Sequence, residues 1–99
     1  MIINLTPHAV NASGVTFAPS GTIARVNVTR VQVATVEGVP VYRGSYGETV
    51  NLPAPDGNLY IVSALVRNAN PGRADLLSPG NLIRDEKGNV IGCDGFDTN

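Results

Sequence analysis

Branching at Cβ constrains this chain more than any other feature of it. Valine, isoleucine and threonine supply 26 of its 99 residues, whereas glutamate, lysine, glutamine, methionine and leucine together supply 13. A branched Cβ restricts χ1 and suits a pleated, half-buried surface better than a helix. Eleven glycines and seven prolines then interrupt the chain too often for long helices. The expected fold is therefore mainly β (a β-rich α+β chain): a small single-domain mixed sheet or partly open barrel with one short helix.

Size and composition narrow this further. A chain of 10.3 kDa folds to about 5,400 Å² of surface, enough for one core and no second one, so residues 1–99 read as one domain. Hydrophobic content of 42% with 15% charged residues excludes a disordered chain. The net charge of −1 argues against binding along a DNA backbone, which needs a basic surface. No apolar run approaches the ~18 residues of a membrane span, and no basic-then-apolar leader opens the chain. The expected setting is the cytoplasm, with no membrane. The three N-x-S/T sequons, at Asn4, Asn11 and Asn27, then carry no glycosylation meaning.

Along the chain, Met1 to Val10 reads as an N-terminal strand with Pro7 at an edge or bend. Asn11 to Gly14 is a turn, and Val15 to Ala18 pairs back on the first strand. Thr22 to Val36 is the longest strand-like stretch. Ala24, Val26 and Val28 share one face while Val31 and Val33 belong to the other, which implies a bulge or a break near Thr29-Arg30. Glu37-Gly38 makes a tight hairpin turn, after which Val39 to Tyr42 returns as an edge strand containing Pro40. Asn51 to Asn58 is a loop. Leu59 to Val66 (LYIVSALV) is the most apolar segment and lacks alternation, so its first half is a central strand buried on both faces. A helix follows over Ala64 to Asn70, ended by Pro71-Gly72. Arg73 to Gly80 reads as an ordered loop. Leu82 to Arg84 and Val90 to Cys93 close the chain as a hairpin around Asp85-Glu86-Lys87-Gly88.

No catalytic or metal-binding signature emerges. His8 is the one histidine and Cys93 the one cysteine, which leaves zinc without a plausible ligand set and excludes an intramolecular disulfide. Cys93 reads as a small buried residue of the last strand. The expectation is no enzyme, no cofactor and no metal. The cations are more informative: six of seven are arginine, with Lys87 the exception. A guanidinium grips phosphate or carboxylate with a planar fork, whereas an ammonium is a hydrated point charge. Ordinary pairing with the eight carboxylates competes with an anion pocket as the reason.

Four blocks make the sequence familiar: Ile3-Asn4-Leu5-Thr6-Pro7-His8-Ala9-Val10, Pro19-Ser20-Gly21-Thr22-Ile23-Ala24-Arg25-Val26, Tyr60-Ile61-Val62-Ser63-Ala64-Leu65-Val66, and Leu82-Ile83-Arg84-Asp85 through Val90-Ile91-Gly92-Cys93. In this order they resemble a family of small proteins carried by bacteriophages and prophage-bearing bacteria. One departure is the segment with Asn68 and Asn70, which favours helix less than the alanine- and glutamine-rich version in that family. The resemblance implies a phage context rather than a mechanism.

In that context one expectation is a small homo-oligomeric protein that sequesters a nucleotide-type signal of anti-phage immunity, a cyclic nucleotide or an ADP-ribose-type ligand, without chemistry. Arg25, Arg73 and Arg84 would then contact phosphate. Thr6, His8, Ser63 and Asp75 would serve sugar and base, and Tyr60 would offer its ring, with Arg30 and Arg43 as bystanders. The alternative from another class is a structural or regulatory phage protein that binds another protein through a sheet edge. A small hydrolase built on His8 and Asp75 is a minor third.

Overall fold

The computed structural model describes residues 1–99. In chain order its elements are β1 (Ile2–Asn4), β2 (Val10–Ala12), β3 (Val15–Phe17), β4 (Arg25–Val36), β5 (Val39–Val50), β6 (Leu59–Ile61), α1 (Ala64–Ala69), β7 (Leu76–Pro79), β8 (Leu82–Arg84), β9 (Val90–Cys93) and β10 (Phe96–Thr98). The fold is mainly β with one short helix, as the excess of β-branched residues requires. The sheets stay open, so the small mixed-sheet expectation holds and the barrel does not form.

Two four-stranded sheets make the body. One has the order β1-β6-β7-β10, with β6 parallel to both neighbours and β10 antiparallel to β7. The apolar run explains its centre. Tyr60, Ile61 and Val62 point alternately to opposite faces and all three are buried, so β6 is covered on both sides. The second sheet has the order β3-β2-β9-β8 and joins the ends of the chain, with Ala12 beside Cys93. Cys93 is buried there, its thiol donating to the Asn11 carbonyl oxygen at 3.4 Å. Phe17 and Phe96 bridge the two sheets with ring centroids 5.7 Å apart.

The core lies over the first sheet: Leu5, Ala24, Val26, Tyr60, Val62, Val66 and Leu76, with Ile3 and Leu52 packed against it. Helix α1 contributes Val66. Its first turn is capped by the Ser63 hydroxyl, which accepts from the Val66 N–H at 3.2 Å. Asn70, expected as its last residue, is instead the C-cap, and its amide donates to the Val66 carbonyl at 2.8 Å and to the Thr49 hydroxyl at 3.0 Å.

The third sheet is the β4–β5 hairpin, whose strands pair only with each other. Glu37 and Gly38 make its turn, with φ of 49° and 80°. Of its 24 strand residues Val26 alone is buried. This ribbon stretches the molecule to 49 × 40 × 23 Å, with a radius of gyration of 16.3 Å, against about 12.6 Å for a compact chain of this length.

Five expectations are corrected. Pairing slips at two places, between Val26 and Val28 and between Gln32 and Ala34, and is regular through Thr29-Arg30. Valines on both faces of one strand look like a phase slip when one face is assumed to be core, but here both faces meet solvent. That strand also begins at Arg25 rather than Thr22. The return strand does not stop at Tyr42 but runs to Val50, because β4 supplies a partner for polar residues that pattern alone does not mark. Arg73 to Gly80 is not a loop throughout: Leu76–Pro79 is a strand between β6 and β10. The strand expected over Met1 to Val10 is two, β1 and β2 in different sheets, and the tail adds β10, which pairs Phe96 with Pro79 and Thr98 with Leu77.

Candidate functional site

Three of the residues expected to bind ligand come together. Arg73 clasps Asp75 with two prongs, Nε to Oδ1 at 2.8 Å and a terminal nitrogen to Oδ2 at 2.7 Å, and that second nitrogen also donates to the Pro53 carbonyl oxygen. The bidentate fork lowers the Asp75 pKa and raises that of Arg73. Tyr60 pairs with Asp75 through the backbone, its N–H donating to the Asp75 carbonyl at 2.9 Å. The Tyr60 hydroxyl donates to the Asp56 carboxylate at 2.5 Å, which raises the tyrosine pKa and lowers that of Asp56. Chemically this network clamps the 53–58 loop and the 73–75 turn onto β6. Tyr60 is 2% exposed, so its ring is core and presents no face to a base. The Arg73 fork is already filled by a carboxylate and a carbonyl.

Thr6 and His8 form a second group around Asn4. The buried Asn4 side chain donates to the carbonyls of His8 and Phe17 and accepts from the Thr6 N–H and hydroxyl, at 2.6 to 3.0 Å. Thr6 donates also to the His8 carbonyl at 3.0 Å. The bonding of His8 runs through its backbone, and its imidazole is exposed and unpaired. Ser63 is the cap of α1. Arg84, on β8, donates to the Gly88 carbonyl at 3.0 Å and steadies the β8–β9 turn. Arg25 stands exposed at the base of the ribbon, and its side chain makes no hydrogen bond. No hydrogen bond between side chains joins Arg25, Arg73 and Arg84.

Two concavities exist. One, of about 220 Å³, lies on the second sheet among Val10, Leu82, Val90, Ile91 and Cys93. The other, of about 310 Å³, runs between Tyr46-Gly47 of β5 and Leu65, Asn68 and Ala69 of α1. Neither is lined by an arginine, a lysine or a carboxylate. Every buried side-chain nitrogen and oxygen already has a partner.

What stands unaccounted for is the ribbon. Residues opposite one another across an antiparallel pair share a face. The pairs Val31–Arg43, Ala34–Val41 and Val36–Val39 therefore place four valines, an alanine and an arginine on one side. The other side carries Val28–Tyr46, Arg30–Gly44 and Gln32–Tyr42, with the Arg30 guanidinium 4.1 Å from the centre of the Tyr42 ring. That second side continues the strand position of buried Val26 and meets α1 at Tyr46-Gly47. The valine side meets nothing: Val31 is 61% exposed, Val36 57% and Val39 61%. Sequence reasoning missed this surface because alternating valines look the same whether they face a core or solvent. The available signal was the absence of a third strand rich enough in apolar residues to cover them.

No helix is long and apolar enough to cross a membrane. Comparison of the chain with protein-family models, with curated proteins and with solved structures finds no match in any of the three.

Proposed function

We propose that this protein is a non-catalytic module that binds a polypeptide through the β4–β5 ribbon, as a structural or regulatory component of a phage or prophage. One observation carries the reading: a hairpin with twelve-residue arms leaves the body with one of its 24 strand residues buried and a face of four valines, an alanine and an arginine in water. An isolated two-stranded hairpin is marginally stable in water, and a contiguous exposed apolar patch marks an interaction surface. The sequestered-nucleotide reading draws less from this geometry. Arg73 is engaged by Asp75, Tyr60 is core, and the concavities lack cations.

Site-specific photo-crosslinkers separate the two readings. Placed at Val31 or Val41, the probe is expected to form polypeptide adducts; placed at Glu86 or Asn89, in the β8–β9 turn, it is expected to form none. Adducts no more frequent from the ribbon than from the turn would overturn the proposal. A rise in melting temperature with cyclic nucleotides or ADP-ribose derivatives, which follows from ligand binding to the native state alone, would restore the nucleotide reading in its place.

A further inference from the structure

We propose that the polypeptide bound by the ribbon is a second copy of this chain, docked valine face to valine face about a two-fold axis, with Arg43 of each copy meeting Glu37 of the other. The inference rests on the reading of the ribbon as a polypeptide-binding element and names its partner.

Area is the first argument. The chain exposes 6498 Å², about 1,100 Å² more than the about 5,400 Å² expected of a compact monomer of its mass. A standard protein interface removes about 800 Å² from each partner. The excess is thus of the size that one such contact covers, and the ribbon, with one of its 24 strand residues buried, contributes to it.

Symmetry is the second. In a two-fold dimer the same patch serves both partners, so it must be complementary to itself. A face of Val31, Ala34, Val36, Val39 and Val41 meets that condition, since aliphatic side chains carry no charge to repel. Two such faces can pack about 10 Å apart, as sheets do in sandwiches.

Charge supplies the third argument and sets the direction. Arg43 and Glu37 are both exposed, and neither side chain makes a hydrogen bond or ion pair within the chain. Arg43 lies two residues below Val41 on β5, on the side of the body. Val36 and Val39 lie equally far above the Ala34–Val41 pair, and Glu37 follows at the tip. A two-fold axis through the Ala34–Val41 level, with the ribbons antiparallel, exchanges these levels. It brings Arg43 to within about one residue, about 3.4 Å along the strand, of the partner's Glu37. The parallel arrangement would set Arg43 against the partner's Arg43. Side-by-side pairing is disfavoured, because Pro40 lacks an N–H and both strands of the ribbon are irregular.

Sedimentation of the full chain at micromolar concentration reads the outcome directly. The parent is expected to be a dimer, and Val41→Asp is expected to sediment at 10.3 kDa with an unchanged circular dichroism spectrum. Arg43→Glu and Glu37→Arg, each alone, set like charges together at both ends of the interface and are expected to weaken it at least about tenfold. Mixing these two variants restores both attractive contacts in trans, so the mixture is expected to dimerise like the parent. Glu86→Arg, in the β8–β9 turn, is expected to change nothing. A monomeric parent overturns the inference, as does a dimer indifferent to Val41→Asp or a mixture no tighter than the single variants. Should a monomeric parent still crosslink from Val31 and Val41 to a different protein, the ribbon's binding role stands and the second-copy assignment alone falls.

Discussion

Asn4, on β1, ties the 6–8 bend to β3. Its buried amide group serves two carbonyls, one N–H and one hydroxyl from the 6–8 bend and β3. Removing a partner from buried polar groups costs about 1–3 kcal/mol for each group left bare. Asn4→Ala is therefore expected to destabilise the protein by about 3 kcal/mol, lowering the melting temperature by about 15 °C. Thr6→Val, which removes one hydroxyl, should cost about a third of that. Urea midpoints for the two variants check the ratio. Asp75 supplies the residue-scale pH dependence. Arg73 holds its pKa below the ordinary 3.8, so its contribution to stability is complete above that value and is lost as pH falls through the depressed one. The Arg73 pKa is raised, so its contribution fades only in strong base. Asp75→Asn is expected to flatten the acid limb of a melting-temperature profile and to lower stability at neutral pH. An unchanged acid limb would show that the pair contributes nothing.

At the scale of elements, the ribbon contains a local conflict at its turn. Glu37 sits at φ 49°, where asparagine or glycine is relaxed and a longer side chain is strained. Glu37→Asn should stabilise the isolated hairpin by about 1 kcal/mol, slowing amide exchange in β4 and β5 about fivefold under conditions where the chain is monomeric. The same substitution should weaken dimerisation, because it removes the carboxylate. A variant that stabilises the hairpin and strengthens the dimer together would separate the turn from the interface. The strained glutamate is then the element-level counterpart of the bare valines: both are costly in the monomer and useful in contact.

For the whole molecule, the division is between a body with little core and an arm with none of its own. Twelve of 99 residues are buried, and one cluster of seven apolar side chains anchors the sheet, the helix and the ribbon base. Such a chain gains stability from anything that covers the arm, because binding to the native state adds a term that grows with concentration. Its melting temperature is expected to rise with protein concentration. Amides of Ile61, Val62 and Leu76 should be protected at every concentration, and those of Val31 to Val41 only at high concentration. A melting temperature independent of concentration would mean that the ribbon is stable unaided.

The local chemistry of the sequence determined the β-rich class, the doubly buried run at Tyr60 to Val62, the hairpin turns at Glu37-Gly38 and Asp85-Gly88, the Ser63-led helix and the burial of Cys93. Each depends on residues within a few positions of one another: β-branching, turn propensity, capping, continuous apolarity. Only the tertiary structure decided which apolar faces found a cover. Val26 and Val31 are both β4 valines, yet one is core and the other is in water, because α1 and β6 reach the ribbon's base and nothing reaches its tip. The same holds for charge. Composition raised the question of what six arginines grip, and folding supplied distant partners for three: the Pro53 carbonyl for Arg73, the Ser78 hydroxyl for Arg67, the Tyr42 ring for Arg30. Partner choice depends on distances between segments far apart in the chain, and those exist only once the strands have paired.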